Sequence, residues 1–323
     1  MKRSLLIAAL STVAAGSALA QSSVTVYGRL NETVERQKDA AGESTTVLAN
    51  NASRLGFKGT EDLGGGLKAN FLLEHRFSPD TGTASSEFWS GDSWVGLSSN
   101  LGEVRLGRLT SAAYFATADY ISYHNHDTGS SSDALYNLGF QSWFTKNKIS
   151  YTTPSLAGAT VELQYGLRET GVVGASTDRN SNGLELAVNY GIGNLALGAG
   201  FTKDGEDKQF AVRGQYTLGD FTLGGYVQRT AFKDIYASGG KATIARLSGM
   251  YALGASEFHA NVGLAGKIDG VDDTEAKQFT LGYNYNLSKR TKVYTYYTKV
   301  DAETATGYAA DFSSVALGVR HNF

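Results

Sequence analysis

The chain alternates. In Val161-Glu162-Leu163-Gln164-Tyr165-Gly166-Leu167-Arg168 the odd positions are apolar and the even ones polar or small. The same period of two runs through 184–190, 210–216 and 279–285. Successive side chains of a strand point to opposite faces, so each segment predicts a strand with one apolar and one polar face. A slip of one residue would turn Glu162 and Arg168 onto the apolar face, which specifies the register.

Seven short turns rich in Gly, Asn, Ser and Asp punctuate this pattern: EDLGGG (61–66), NLG (100–102), SLAG (155–158), GIGN (191–194), LGD (218–220), LGAS (253–256) and NLSKR (286–290). Longer polar stretches alternate with them, at 37–51, 170–183, 204–208, 233–241 and 266–275. Seven turns join fourteen strands in pairs. A strand from Val24 and one ending at Phe323 bring the expectation to sixteen, all sequential and antiparallel. Aromatic rings gather beside the short turns: Tyr190, Tyr216, Phe221, Tyr251, Phe258, Tyr283, Tyr285, Tyr297 and Phe323. Such rings belong at the headgroup level of a membrane. The expected fold class is therefore all-β, a sixteen-stranded antiparallel transmembrane barrel. It must close, because an open edge in hydrocarbon leaves unpaired amides.

The first twenty residues stand apart. Lys2 and Arg3 precede an apolar run, and Ala18-Leu19-Ala20 is a small-x-small cleavage site, the pattern of a secretory signal peptide. Its apolar run is well short of the ~20 residues that a membrane span needs. We expect 1–20 to be a cleaved leader and 21–323 the barrel. Composition agrees: there are 2 prolines in 323 residues where about 5% is usual. Proline cannot donate to a ladder. The absence of cysteine removes disulfides, thiolate metal sites and a thiol nucleophile. The mature part carries 27 basic and 31 acidic residues once Lys2 and Arg3 are set aside from 29, with no basic patch of nucleic-acid type. Sixteen strands enclose a wet lumen, so the pattern predicts a pore.

Several stretches, SSVTVYGRL (22–30), SRLGFKGTEDLGGGLKANFLLE (53–74), WVGLSSNLGEVRLGR (94–108), ISYTTPSLAG (149–158), FTLGYNYNLSKRTKVY (279–294) and LGVRHNF (317–323), carry a resemblance. The sequence resembles the general trimeric porins of Gram-negative outer membranes, in particular the β-proteobacterial type. That resemblance implies passive diffusion of ions and small hydrophilic solutes, a homotrimer, and an outer-membrane location among lipid and lipopolysaccharide. It also implies that Phe323 is read by the barrel assembly machinery, although Phe323 is equally the end of the last lipid-facing strand. In the family the third loop folds into the lumen and faces arginines on the opposite wall. Here that connection runs from about Leu109 to Lys148, with aromatics and the acids Asp119, Asp127 and Asp133. A loop lying over the outer mouth or against a neighbouring subunit would fit the same composition.

By motif match Arg54 and Arg108 resemble the constriction arginines. Arg29, Arg76 and Glu74 are wall candidates by their face in the alternation, and Asp92 stands where anion-selective members often carry arginine. The basic excess along the wall leans selectivity slightly to anions, with Asp92 weakening it. The runner-up is a substrate-specific channel, such as one for sugars, with Tyr27, Tyr226, Tyr294 and Tyr296 along the lumen.

Other motifs carry little. His124-Asn125-His126-Asp127 lacks a fourth metal ligand, 269–273 lacks the calcium-loop spacing, and Ser238-Gly239-Gly240-Lys241 lacks its companion motifs. No enzyme activity, cofactor or metal is expected.

Overall fold

The computed structural model describes residues 23–121, 129–136, 146–168, 182–233, 240–269, 271–302 and 310–323. The expected leader and the His124–Asp127 motif lie outside these residues. The strands are β1 (Ser23–Lys38), β2 (Ser44–Asn50), β3 (Arg54–Gly64), β4 (Leu67–Ser78), β5 (Thr83–Ala84), β6 (Ser93–Ser99), β7 (Gly102–Arg108), β8 (Lys148–Thr152) and β9 (Ala159–Gly166). They continue as β10 (Gly183–Ile192), β11 (Leu195–Asp204), β12 (Asp207–Leu218), β13 (Phe221–Phe232), β14 (Gly240–Leu253), β15 (Ser256–Ala265), β16 (Ala276–Asn286), β17 (Thr291–Ala302) and β18 (Phe312–Asn322).

Each wall strand pairs antiparallel with its neighbour in sequence, and β1 pairs with β18, which closes the sheet. On its other edge β1 pairs first with β3 and then with β2. Those two are one wall strand broken at Asn51–Ser53, where Ala52 takes φ +59°. The two-residue β5 pairs only with the outer end of β4. The wall therefore has sixteen strands.

All seven expected short turns fall between paired strands. Two of the expected long connections do not exist as such. Between 37 and 51 the ladder continues through Lys38↔Ser44, leaving a turn at Asp39–Glu43. At 204–208 only Gly205 and Glu206 separate β11 from β12. Polar composition misled in both places, because a strand that has left the hydrocarbon no longer needs an apolar face.

The faces are inverted relative to a soluble barrel. Val24, Val26, Val95, Leu97, Leu106, Val212, Val227, Leu247 and Leu317 lie exposed on the outside. The alternate positions, among them Asn31, Glu35, Gln164, Glu185, Arg213, Arg246 and Gln278, are buried and polar. A cation on the outer face at mid-depth would cost about 2–4 kcal/mol in a bilayer, which is why the charges turn inward. Beside the short turns Phe221, Tyr251, Phe258 and Tyr283 form one outward cross-strand row, with ring centroids 4.4, 6.4 and 5.1 Å apart.

The seam uses the last residue. Phe323 and Gly28 exchange both backbone hydrogen bonds, at 3.0 and 3.1 Å. The Phe323 ring lies over Gly28, where a Cβ would stand 2.3 Å from it, so only glycine admits the ring.

Candidate functional site: the charged inner wall and its inserted segment

After β7 the chain leaves the wall. Ser111 caps a short helix α1 (Ala112–Ala116), followed by α2 (Ala118–Ile121), and a further turn occupies Gly129–Ser131. This segment touches the polar faces of β1, β9, β10, β12, β13, β14, β16 and β17, and faces spread so widely around a closed wall can meet one segment only on their concave side.

The anchors are specific. Glu185 on β10 accepts from Ser111 Oγ at 2.7 Å and Ala113 N–H at 3.3 Å, while its other oxygen pairs with Lys148 at 3.2 Å. Both charged side chains have zero exposure. At the other end of α1, Arg213 on β12 donates to the Ala116 carbonyl at 2.8 Å and stacks 3.7 Å from the Tyr120 ring centroid. The two charges suit the partial charges at the two helix ends. Gly198 lets the helix approach this closely, since a Cβ there would lie 2.0 Å from the Ala116 oxygen.

Farther along, Asp133 accepts from Arg246 at 3.0 Å and from the Tyr226 hydroxyl at 2.6 Å. It also caps its own turn through the Leu135 and Tyr136 amides. Burial pushes the Tyr136 phenol above its ordinary range. Gln278 on β16 accepts from Ala134 N–H and donates to the Ser132 carbonyl. Glu35 on β1 receives five side-chain donors, from Thr33, Gln37, Ser130, Tyr296 and Ser314. Ser130 thereby ties the segment to β1 and β17.

The wall around β1, β3 and β4 is basic. Arg29, Arg54 and Arg76 stand directly opposite one another across β1, β3 and β4. The next row holds Arg320 opposite Lys292. Glu74 lies within the row: it pairs with Arg76 at 3.1 Å and Arg54 at 3.7 Å, and accepts from Tyr27 at 3.2 Å. Like charges directly opposite on adjacent strands repel, so this row keeps a net positive field at one height of the wall.

Arg108, Asp92 and Asp133 are spent on local bonds. Arg108 is not in the arginine row. It pairs across the sheet with Ser93, in the outward phase of Val95 and Leu106, and binds Glu87 at 2.7 Å and the Ser90 carbonyl at 3.0 Å. Glu87 also holds Lys146 at 2.6 Å. Asp92 accepts from the Thr110 amide at 2.8 Å and hydroxyl at 2.6 Å, so it holds the base of the inserted segment. Asp133 is consumed by Arg246 and Tyr226 and offers the lumen little charge. Asp127 lies outside the described residues. Asp119 opens α2 and is half-buried.

Lys292 and the anchors Glu35, Glu185 and Arg246 were missed by the sequence reading. Their only signal was a polar residue on the inward phase, which every lumenal position shares. The inward tyrosines form no open aromatic track. Tyr226, Tyr294 and Tyr296 are 2–3% exposed and bonded to Asp133, Asn31 and Glu35. Among the described residues no group of three or more metal-ligating side chains converges.

Comparison with known proteins agrees with this geometry. The family profile described as Gram-negative porin matches residues 6–322. Outer membrane porin protein 32 of Delftia acidovorans is 35% identical, and the alignment spans all of both chains. An outer membrane porin protein of Bordetella pertussis is 27% identical, again over the whole of both chains. The solved anion-selective porin from Comamonas acidovorans superposes with a TM-score of 0.78 at 32% identity, covering 94% of this chain and 100% of its own. The closed sixteen-stranded wall, its inverted faces and these likenesses together make the chain a member of the Gram-negative porins, channel proteins of the bacterial outer membrane.

Proposed function

We propose that the pore passes ions and small hydrophilic solutes by diffusion, limited by size, with a weak preference for anions. The observation that carries this reading is the arginine row, Arg29, Arg54 and Arg76, with Glu74 paired to two of them. The segment fastened to the inner faces of β10, β12, β13, β14 and β16 narrows the lumen. A passing anion exchanges part of its hydration for the guanidinium field, and the wall does no covalent chemistry. The anion selectivity printed for the Comamonas relative supports the sign. Glu74 supports its weakness.

Liposome swelling tests the diffusion part. Rates for neutral sugars and amides are expected to fall smoothly with solute size and to rise linearly with concentration. Saturation by one sugar would favour a substrate-specific channel instead.

The chain acts as a homotrimer in this reading, inserted by the assembly machinery through Phe323 after residues 1–20 are removed. Support comes from apolar residues exposed on the outer wall near the seam, Val24, Val26, Leu30 and Val34 on β1 and Val315, Leu317 and Val319 on β18, with Val34 directly opposite Leu317. On a denaturing gel the unheated protein is expected to run as a trimer and the boiled protein as a monomer. A monomer in both lanes would oppose stable assembly.

A further inference from the structure

At the loop ends of β11–β14 the outward face changes from apolar to basic. Phe201 and Phe210 face each other across β11 and β12, and one step farther out Lys203 faces Lys208. The same cross-strand row continues through Ala231 to Lys241. Arg229 lies opposite Phe210 in the row below. All four cations are exposed. Arg229 has a partner in Asp269 at 3.4 Å, and the nearby Lys233 has one in Glu206 at 3.0 Å. Lys203, Lys208 and Lys241 have no carboxylate partner among the described residues.

Two lysines directly opposite on neighbouring strands destabilise a bare sheet. The arrangement makes sense if an anion lies between them in the membrane. Its position says which kind. The row stands at the end with longer connections, which faces the cell exterior in this fold class, immediately beyond the last apolar rings. That is the headgroup level of the outer leaflet. β11 is also eight wall strands from β1, across the barrel from the seam, so the patch faces lipid even if the seam side is covered by other subunits. Three strand intervals of about 4.8 Å separate Lys203 from Lys241, a span of about 14 Å that suits a headgroup with more than one phosphate.

We propose that Lys203, Lys208 and Lys241, with Arg229 beneath them, bind the phosphate groups of a phosphorylated outer-leaflet glycolipid, whose acyl chains lie on Phe201, Phe210, Val212 and Val227. The proposal uses the outer-membrane location of the family and is independent of the pore's selectivity.

The test compares the wild-type barrel with a K203Q/K208Q/K241Q variant in neutral detergent, titrated with diphosphorylated lipid A and followed by native mass spectrometry and melting temperature. Wild type is expected to hold the lipid roughly a hundredfold more tightly than the variant. The dephosphorylated lipid is expected to lose the same advantage. Without lipid the variant is expected to melt no lower than wild type, because repulsion has been removed; single-channel conductance of the folded variant stays unchanged. The melting order therefore reverses when the lipid is added. Equal affinity in both proteins would overturn the proposal, as would equal binding of the dephosphorylated lipid. Inorganic phosphate raising the wild-type melting temperature as much as the lipid would also overturn it, since the site would then be one for a free anion.

Discussion

Replacing Arg54 and Arg76 together by glutamate is expected to reverse the sign of the zero-current potential in a salt gradient. Both side chains share the row with Arg29, and Glu74 already offsets part of their charge. A unit charge about 4 Å from a passing ion is worth about 1 kcal/mol in water. The double change alters the wall by four units. Screening removes much of this, since the Debye length is about 10 Å at 0.1 M salt. Even so, a change of about tenfold in the anion-to-cation permeability ratio is expected, about 1.4 kcal/mol. Planar-bilayer recordings at 0.1 M and 1 M salt read both the reversal and its weakening by salt. Arg108→Glu serves as the contrast. Its guanidinium belongs to Glu87 and Ser90, so the reversal potential should barely move. If Arg108→Glu shifted it more than the double variant, the arginine row would not be the selecting element.

Glu185→Ala is expected to loosen the inserted segment and destabilise the barrel at once. The substitution strips Lys148 of its carboxylate at a site with no solvent exposure and removes the acceptor for Ser111 and Ala113. Breaking one half of a buried ion pair costs about 3–5 kcal/mol. Single-channel traces should become noisier and the mean conductance should rise, as the start of the segment is no longer held to β10. A second variant separates the two consequences. Lys148→Met with Glu185→Leu removes both charges, which is often nearly neutral for stability, yet still leaves α1 without its acceptor. Its melting temperature should return towards wild type while the noise persists. A double variant with quiet, wild-type traces would show that Glu185 acts only as the partner of Lys148.

The first prediction concerns arginines that motif match and phase had already offered as wall candidates, whereas Glu185 was placed on the inner face by the alternation with no role assigned. Arg29 and Arg76 were wall candidates by phase alone, and the ladder registers join them to Arg54 in one row. Arg108 stands apart from that row. It matches a family stretch, yet its cross-strand partner Ser93 and its bond to Glu87 take it out of the row. The residue type of Asp133 suggested a lumenal acid, whereas Arg246 and Tyr226, more than ninety positions away in sequence, neutralise it.

Strand number, antiparallel order, the seven short turns and the in–out alternation of the wall strands were legible in the sequence. They depend on local quantities: a period of two, turn residues, and the cost of exposing charge or unpaired amides to hydrocarbon. The sequence also supplied the basic excess of the wall. Which cations share a height, which carboxylates are spent on anchoring, and how the segment after β7 lies against β10, β12 and β17 were decided only by the tertiary structure. Those outcomes depend on strand stagger around a closed sheet and on contacts between residues distant in the chain, and no local periodicity encodes either.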